Sequence, residues 1–349
     1  MKALQNMERI QVNHEVMLLL LSVYESKGKE FYYDELFSRD SNVYEKKVVL
    51  DNAYYFAKIF SFDLTDSRLK LLAKKDLLSK NKEEQFYINI REALTLVQKN
   101  PKDFELLVNE ISDLAKLLSE QTNPIKYQTY KSEEIAILAT KKEKSKKEDL
   151  EKLIELFNKQ IKTKQYELSQ LIANFYVDFL NMKIFSDKNQ EIALILLYAL
   201  LIKHFNVFKY VSFFKNFNDF KTIWKSGLDQ ANYYWETHYA QTDLLSRVLV
   251  DILKKSYEEV DEFSREYAFE KNLNKSDNIE NTISKGNEVF TKEDIRKAHP
   301  TVSEATIDRT LKRLKDENII RPLGKGRSSK WIRIVESRNK NKDQQLTLF

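Results

Sequence analysis

The chain has 349 residues, 42% of them hydrophobic, which is enough for two or three domains with cores of their own. Its 5 Gly and 4 Pro are too few for a sheet-rich enzyme, whose turns depend on both, and the absence of cysteine excludes disulfides, thiolate metal sites and a cysteine nucleophile. The formal net charge is +5, yet the stretch from Phe290 to Ile334 carries twelve Lys/Arg against six Asp/Glu, so the basic excess is local, as in a nucleic-acid module.

In chain order, the opening MKALQNMERIQVNHE lacks the apolar core of a secretory signal, which makes the cytoplasm the expected address. Residues 12–80 read as helices broken at Gly28. Residues 84–98 place Phe86, Ile88, Ile90, Leu94 and Val97 near helical spacing, Pro101 punctuates, and 103–120 reads as an amphipathic helix closed off by Pro124. IKYQTY (125–130) and EIAILAT (134–140) flank a polar Lys131-Ser132-Glu133 turn and predict a small hairpin. The charged KKEKSKKED (141–149) is a helix start or linker, and helices are predicted over 150–163, 166–183, 189–204 and 241–270. The longest apolar run, Ile192 to Ile202, is about half of a membrane span and reads as a buried helix, so no membrane partner is expected. KNLNKSDNIENTISKGNE (271–288) reads as a linker carrying one helical turn or two.

The C-terminal part is patterned differently. Thr291, followed three residues later by Asp294, resembles a capping box, and Pro300 closes the short helix that it starts. Ser303 caps a second helix on which Ile307, Leu311 and Leu314 share one stripe facing a core. Ala305, Arg309, Lys312 and Arg313 lie opposite, with Thr306 beside them; small residues and arginines on an exposed helix suit a major groove. A strand at Ile319–Leu323, the basic turn Gly324-Lys325-Gly326-Arg327-Ser328 and an alternating strand from Lys330 to Ile334 complete a winged helix-turn-helix. Two of the five glycines sit at this turn, where backbone must approach a phosphate chain closely. The candidate DNA contacts are therefore Ser303, Ala305, Thr306, Arg309, Lys312, Arg313, Lys325, Arg327, Ser328 and Lys330, and the expected partner is double-stranded DNA. The alternative is a module of the same shape used only for protein contacts.

The order of segments before this module resembles that of Fic-domain proteins with a C-terminal winged helix. The resemblance runs through LLLSVYESKGKEFYYDEL (19–36), VLDNAYYFAKIFS (49–61), SRLKLL (67–72), LIANFYVDFLNMKIFSDKNQEIALILLYALL (171–201), KYVSFFKNF (209–217) and ANYYWE (231–236), and ends in GKGRSSKWI. The family's signature is H-P-F-x-[DE]-G-N-G-R-x-x-R, and the matching stretch here is Lys183-Ile184-Phe185-Ser186-Asp187-Lys188-Asn189-Gln190-Glu191-Ile192-Ala193-Leu194. Phe185, Asp187 and Asn189 fit the signature. Lys183 stands where the resemblance implies the general-base histidine, and a lysine is a poor base at neutral pH unless strongly desolvated. Lys188 and Gln190 replace the glycines whose N–H groups would wrap nucleotide phosphates, and Glu191, in place of the phosphate-clamping arginine, would repel a triphosphate. Leu194 replaces the second arginine, and the family's inhibitory Ser-x-x-Ile-Glu-Gly helix has no counterpart between Ser61 and Ser67. Independently, no glycine occurs between Gly28 and Gly227, so the body has no Gly-rich phosphate loop.

The expected fold is mainly α: a Fic-like helical body with a small β-hairpin flap, plus the C-terminal winged helix-turn-helix. The expected divisions are an N-terminal helical region (1–110), a helical core (111–270), the linker (271–288), the winged domain (289–335) and a flexible tail (336–349). The expected function is a homodimeric DNA-binding regulator on a pseudoenzyme scaffold, with no cofactor. His14, His204, His238 and His299 are not spaced for a metal. One alternative is a transferase modifying a protein hydroxyl, with a metal on Asp187 and Lys183 or Lys188 on phosphate. Another is a non-catalytic partner or inhibitor in a defence or toxin system. Finally, Gln345, Leu346, Leu348 and Phe349 resemble the short peptide by which bacterial replication and repair proteins hold the sliding clamp.

Overall fold

Helices dominate because so little in the chain interrupts them. The computed structural model describes residues 1–75, 77–130, 145–272, 275–300, 302–324 and 330–334, the side chains of 269–272 excepted. They divide into two compact units, Met1–Glu262 and Phe263 onward.

The first unit contains α1 (Lys2–Gln5), α2 (His14–Lys27), α3 (Glu30–Leu36), α4 (Ser41–Ile59), α5 (Asp66–Lys74), α6 (Lys82–Lys99), α7 (Val108–Leu118), α8 (Lys147–Thr163), α9 (Leu168–Met182), α10 (Asn189–His204), α11 (Phe213–Tyr233) and most of α12 (Asp243–Asn272). Polar N-caps start many of them: the side chains of Asn13, Thr65, Asn81 and Ser212 each accept a backbone N–H from the first turn of α2, α5, α6 and α11. The central element is α10, buried from Ile192 through Ile202. A helix that is apolar all round belongs in a core, and α10 packs against both α9 and α6. No helix among the described residues is long and apolar enough to cross a membrane.

One buried carboxylate ties the chain's start to this core. Asp178 on α9 is fully buried, and it accepts the N–H groups of Ala3 and Leu4, each at 2.9 Å, and the Trp235 indole N–H at 2.7 Å. Three donors offset its desolvation. Arg9 seals the same corner by donating to the carbonyls of Ala3 and Ala240 at 2.8 Å and to Asn174 Oδ1 at 2.6 Å.

Two departures from expectation have local causes. Helix α7 starts at Val108 instead of 103, because 104–107 is irregular chain whose Phe104 carbonyl accepts from Lys203. Helix α11 was not anticipated; within it, a Cβ at Gly227 would stand 3.1 Å from Leu245 Cδ2, so the glycine permits close packing.

The second unit adds α13 (Lys275–Lys285), β1 (Val289–Thr291), α14 (Lys292–Ala298), α15 (Glu304–Asp316), β2 (Ile320–Pro322) and β3 (Lys330–Arg333). The strands form one antiparallel sheet in the order β1-β3-β2, with Phe290 opposite Trp331 and Arg321 opposite Ile332. Its core joins Ile279, Ile283, Phe290, Ile295, Ile307, Leu311, Leu314 and Ile320. The stripe predicted on α15 is therefore inward, as expected. The linker expected over 271–288 is not what is found: α13 occupies 275–285 and places Ile279 and Ile283 in this core. The polar residues around those two isoleucines hid a one-sided helix.

Candidate functional site

The loop that carries the signature-like residues joins α9 to α10. Lys183 ends α9 in the left-handed region, with φ 46°, and its side chain is exposed. Lys188 is left-handed as well, with φ 59°, and is the N-cap of α10. Between them the chain is pinned by Asn189, whose Oδ1 accepts from Phe185 N–H at 2.9 Å while its Nδ2 donates to the Phe185 carbonyl at 2.7 Å. Phe185 is buried against Phe179 and stacked on Tyr127 with ring centroids 5.0 Å apart. Asp187 is exposed, and its Oδ1 accepts the N–H of Lys188 at 2.8 Å. The Lys188 ammonium lies 3.2 Å from Glu191 Oε1 and 4.6 Å above the Phe86 ring.

Residues 125–130, expected as one arm of a hairpin, lie along this loop. Ser186 N–H donates to the Lys126 carbonyl at 2.8 Å and Gln128 N–H to the Ile184 carbonyl at 2.9 Å, an isolated antiparallel bridge between Tyr127 and Phe185. The expected second arm, 134–140, lies outside the described residues.

In the second unit, Thr291 and Asp294 form a complete capping box at the start of α14, and those two donations from Thr291 hold the Asp294 carboxyl below the usual range. Ser303 caps α15 by accepting Thr306 N–H at 3.3 Å. Ser303, Ala305, Arg309, Lys312 and Lys330 are exposed, and Thr306 is half-buried with its hydroxyl 2.9 Å from that of Ser303. Arg313 differs from expectation: it is half-buried, donating to Glu280 Oε2 at 2.6 Å and to Glu317 at 3.3 Å. Helical periodicity could not reveal this, because Glu280 arrives from α13. The acids on the outer side of α15 are also engaged, since Lys292 pairs with Glu304 at 2.9 Å and Asp308 at 2.6 Å. Lys325, Arg327 and Ser328 at the turn, and Gln345, Leu346, Leu348 and Phe349 in the tail, lie outside the described residues.

No family profile and no curated protein matches the chain. Solved structures do. A Fic family protein from Desulfovibrio desulfuricans G20 superposes over 95% of this chain and 99% of its own, with a TM-score of 0.56 and 10% identity. The chain has the Fic fold. A Fic domain containing signaling protein from Bacteroides thetaiotaomicron VPI-5482 agrees, with a TM-score of 0.51 and 15% identity over 70% of this chain and 98% of that one.

On this Fic fold the α9–α10 loop opens into a cleft of about 350 Å³, lined by Phe60, Phe62, Lys82, Glu83, Phe86 and Asn123 together with Asp187, Lys188 and Glu191. Three carboxylates face two ammonium groups. Glu191 is matched by Lys188, Lys82 donates to Asn123 at 2.8 Å, and Glu83 accepts Asp63 N–H at 2.7 Å. A triphosphate entering here would meet more negative than positive charge, with Lys188 already committed. Sequence reasoning found Asp187, Lys188 and Glu191 but missed Glu83 and Phe86, which come from α6 and carry no motif. Among the described residues no group of three or more His, Asp or Glu is placed to hold a metal.

Proposed function

We propose that the protein is a cytoplasmic, homodimeric DNA-binding regulator, whose Fic-fold body no longer transfers nucleotides and whose C-terminal unit is a winged helix-turn-helix. The observation that carries this is the outer side of α15. Its core stripe faces inward, Lys292 pairs with Glu304 and Asp308 and offsets part of their charge, and Arg309 and Lys312 remain exposed. A helix so arranged fits a major groove, with Lys330 available to a phosphate. The absence of catalysis is supported by two features of the α9–α10 loop: an exposed lysine at position 183, and a Lys188–Glu191 pair where the resemblance implies phosphate-binding groups.

The test has two arms. Fragmented genomic DNA is titrated at several salt concentrations, and bound fragments are sequenced. Salt-dependent binding is expected, with Arg309→Ala costing about 1–3 kcal/mol at preferred sites. Absence of binding at low salt overturns the DNA reading and leaves a protein-contact module. In the second arm, candidate proteins are incubated with nucleoside triphosphates and weighed intact. An adduct that disappears in Lys183→Ala or Asp187→Ala would establish a transferase in place of a pseudoenzyme.

The tail belongs to the same proposal. Leu348 and Phe349 are taken to enter the apolar pocket of a bacterial sliding clamp, with Gln345 at its edge. Two such side chains supply roughly 1.5–3 kcal/mol each, less the cost of ordering the tail, so micromolar affinity is the expected order. Equal clamp binding by the 342–349 peptide and its Leu348→Ala, Phe349→Ala version would remove this contact and leave the DNA reading intact.

A further inference from the structure

Lys292 is the first residue of α14, an unfavourable place for a cation. The N-terminus of a helix carries partial positive charge, so acids are favoured in the first turn. Glu293 and Asp294 obey that rule, and Lys292 does not. Its ammonium instead leaves its own helix for the first two turns of α15, where it lies 2.9 Å from Glu304 Oε1 and 2.6 Å from Asp308 Oδ1. These acids, Asp308 foremost, hold the ammonium above the usual lysine range, so it stays charged at neutral pH. The two carboxylate side chains are 62% and 58% exposed, and that of Lys292 only 28%.

Both acids sit where a DNA-reading helix tolerates them poorly. Glu304 and Asp308 are four residues apart, a like-charge spacing that opposes the helix. Asp308 also stands four residues before Lys312. With the acid on the N-terminal side, that is the favoured arrangement for an ion pair within a helix. The pair is not made. Asp308 turns to Lys292, and Lys312 is exposed and in no ion pair among the described residues.

We infer that Lys292 is a positioning residue for DNA binding: by holding Asp308 and Glu304 it keeps Lys312 free to meet a backbone phosphate. The inference rests on the DNA-binding reading above and adds a residue outside the contact surface. Lys292 acts on α15 through charge and touches no nucleic acid itself. Without it, Asp308 closes on Lys312, and Glu304 is left uncompensated beside a polyanion. A phosphate contact carries no sequence information, so the loss falls alike on all sequences, while Arg309 keeps its preference among bases.

The test compares full-length variants in DNA titrations over a range of salt concentrations. Lys292→Met keeps the aliphatic stem and removes the charge. It should bind preferred and unrelated DNA roughly tenfold more weakly at about 0.1 M salt, with a salt slope smaller by about one, the size of one lost phosphate contact. Lys292→Arg should bind as wild type does. Adding Asp308→Asn to Lys292→Met removes the acid that captures Lys312, and should restore most of the affinity and the slope. A lysine that only braced α14 against α15 would not be rescued in this way. A wild-type protein without salt-dependent binding overturns the DNA reading and this inference together. Wild-type binding with an unaffected Lys292→Met overturns the inference alone. So does a Lys292→Met defect that Asp308→Asn leaves in place, which would put Lys292 itself on the DNA or in the fold.

Discussion

Lys183 and Lys188 hold φ 46° and 59° in the loop between α9 and α10. An L residue there is strained by roughly 1–2 kcal/mol, and glycine relieves the strain at some cost in unfolded-state entropy. The two lysines differ in what the side chain returns. Lys188 pairs with Glu191 and covers Phe86, so Lys188→Gly loses about what it gains. Lys183 is an exposed C-cap, and Lys183→Gly should raise stability by about 0.5–1 kcal/mol, read as an increased urea midpoint at constant m. A lowered midpoint would mean that the lysine side chain makes a contact worth more than the strain. A second residue gives a pH signature. Burial, with Lys27 and Lys203 nearby, lowers the His204 imidazole from its usual 6.5 to about 4. Since the folded state keeps this group neutral, its contribution is complete above pH 6.5. It is lost as pH falls from 6.5 to 4, where only the unfolded chain binds the proton, and is constant below 4. His204→Gln should flatten that part of the stability profile; an unchanged slope would assign the pH dependence to other groups.

Amphipathic pattern and helix punctuation made α6, α8, α9, α10 and α12 legible in the sequence, because each has either a clear stripe or an unbroken apolar run. The same method failed for α13, whose only buried residues are Ile279 and Ile283 among Lys, Asp, Asn and Ser. Two apolar residues four apart are a weak signal until the core they enter is known. If α13 is an integral helix of the second unit, Ile279→Ala should cost about 2–5 kcal/mol and reduce amide hydrogen-exchange protection throughout α14, α15 and β3. A connecting linker would tolerate that change within about 0.5 kcal/mol. The candidate sites were legible to a similar, partial degree. The run 183–191 drew attention through its resemblance to a known signature, but Glu83 and Phe86 reach the cleft from α6. On α15 the inward stripe was readable from periodicity, while the pairing of Arg313 with Glu280 depended on the element that was missed.

At the scale of the whole molecule, the basic excess belongs to the second unit. In the homodimeric reading, the first unit's task is to hold two DNA readers together. Dimeric helix-turn-helix proteins bind half-sites separated by one or more helical turns, about 34–36 Å per turn. The second reader then binds at a raised effective concentration, which is worth roughly 10²- to 10⁴-fold in affinity without any new contact. A homodimer should therefore bind a site with two half-sites more tightly than a single half-site by a factor of that order. Arg309→Ala should weaken both. The measurement is a pair of titrations at one fixed salt concentration, using half-site and full-site DNA taken from the sequenced fragments. If full-site and half-site DNA are bound equally tightly, the two readers are not coupled, whatever the protein's state of association in the absence of DNA.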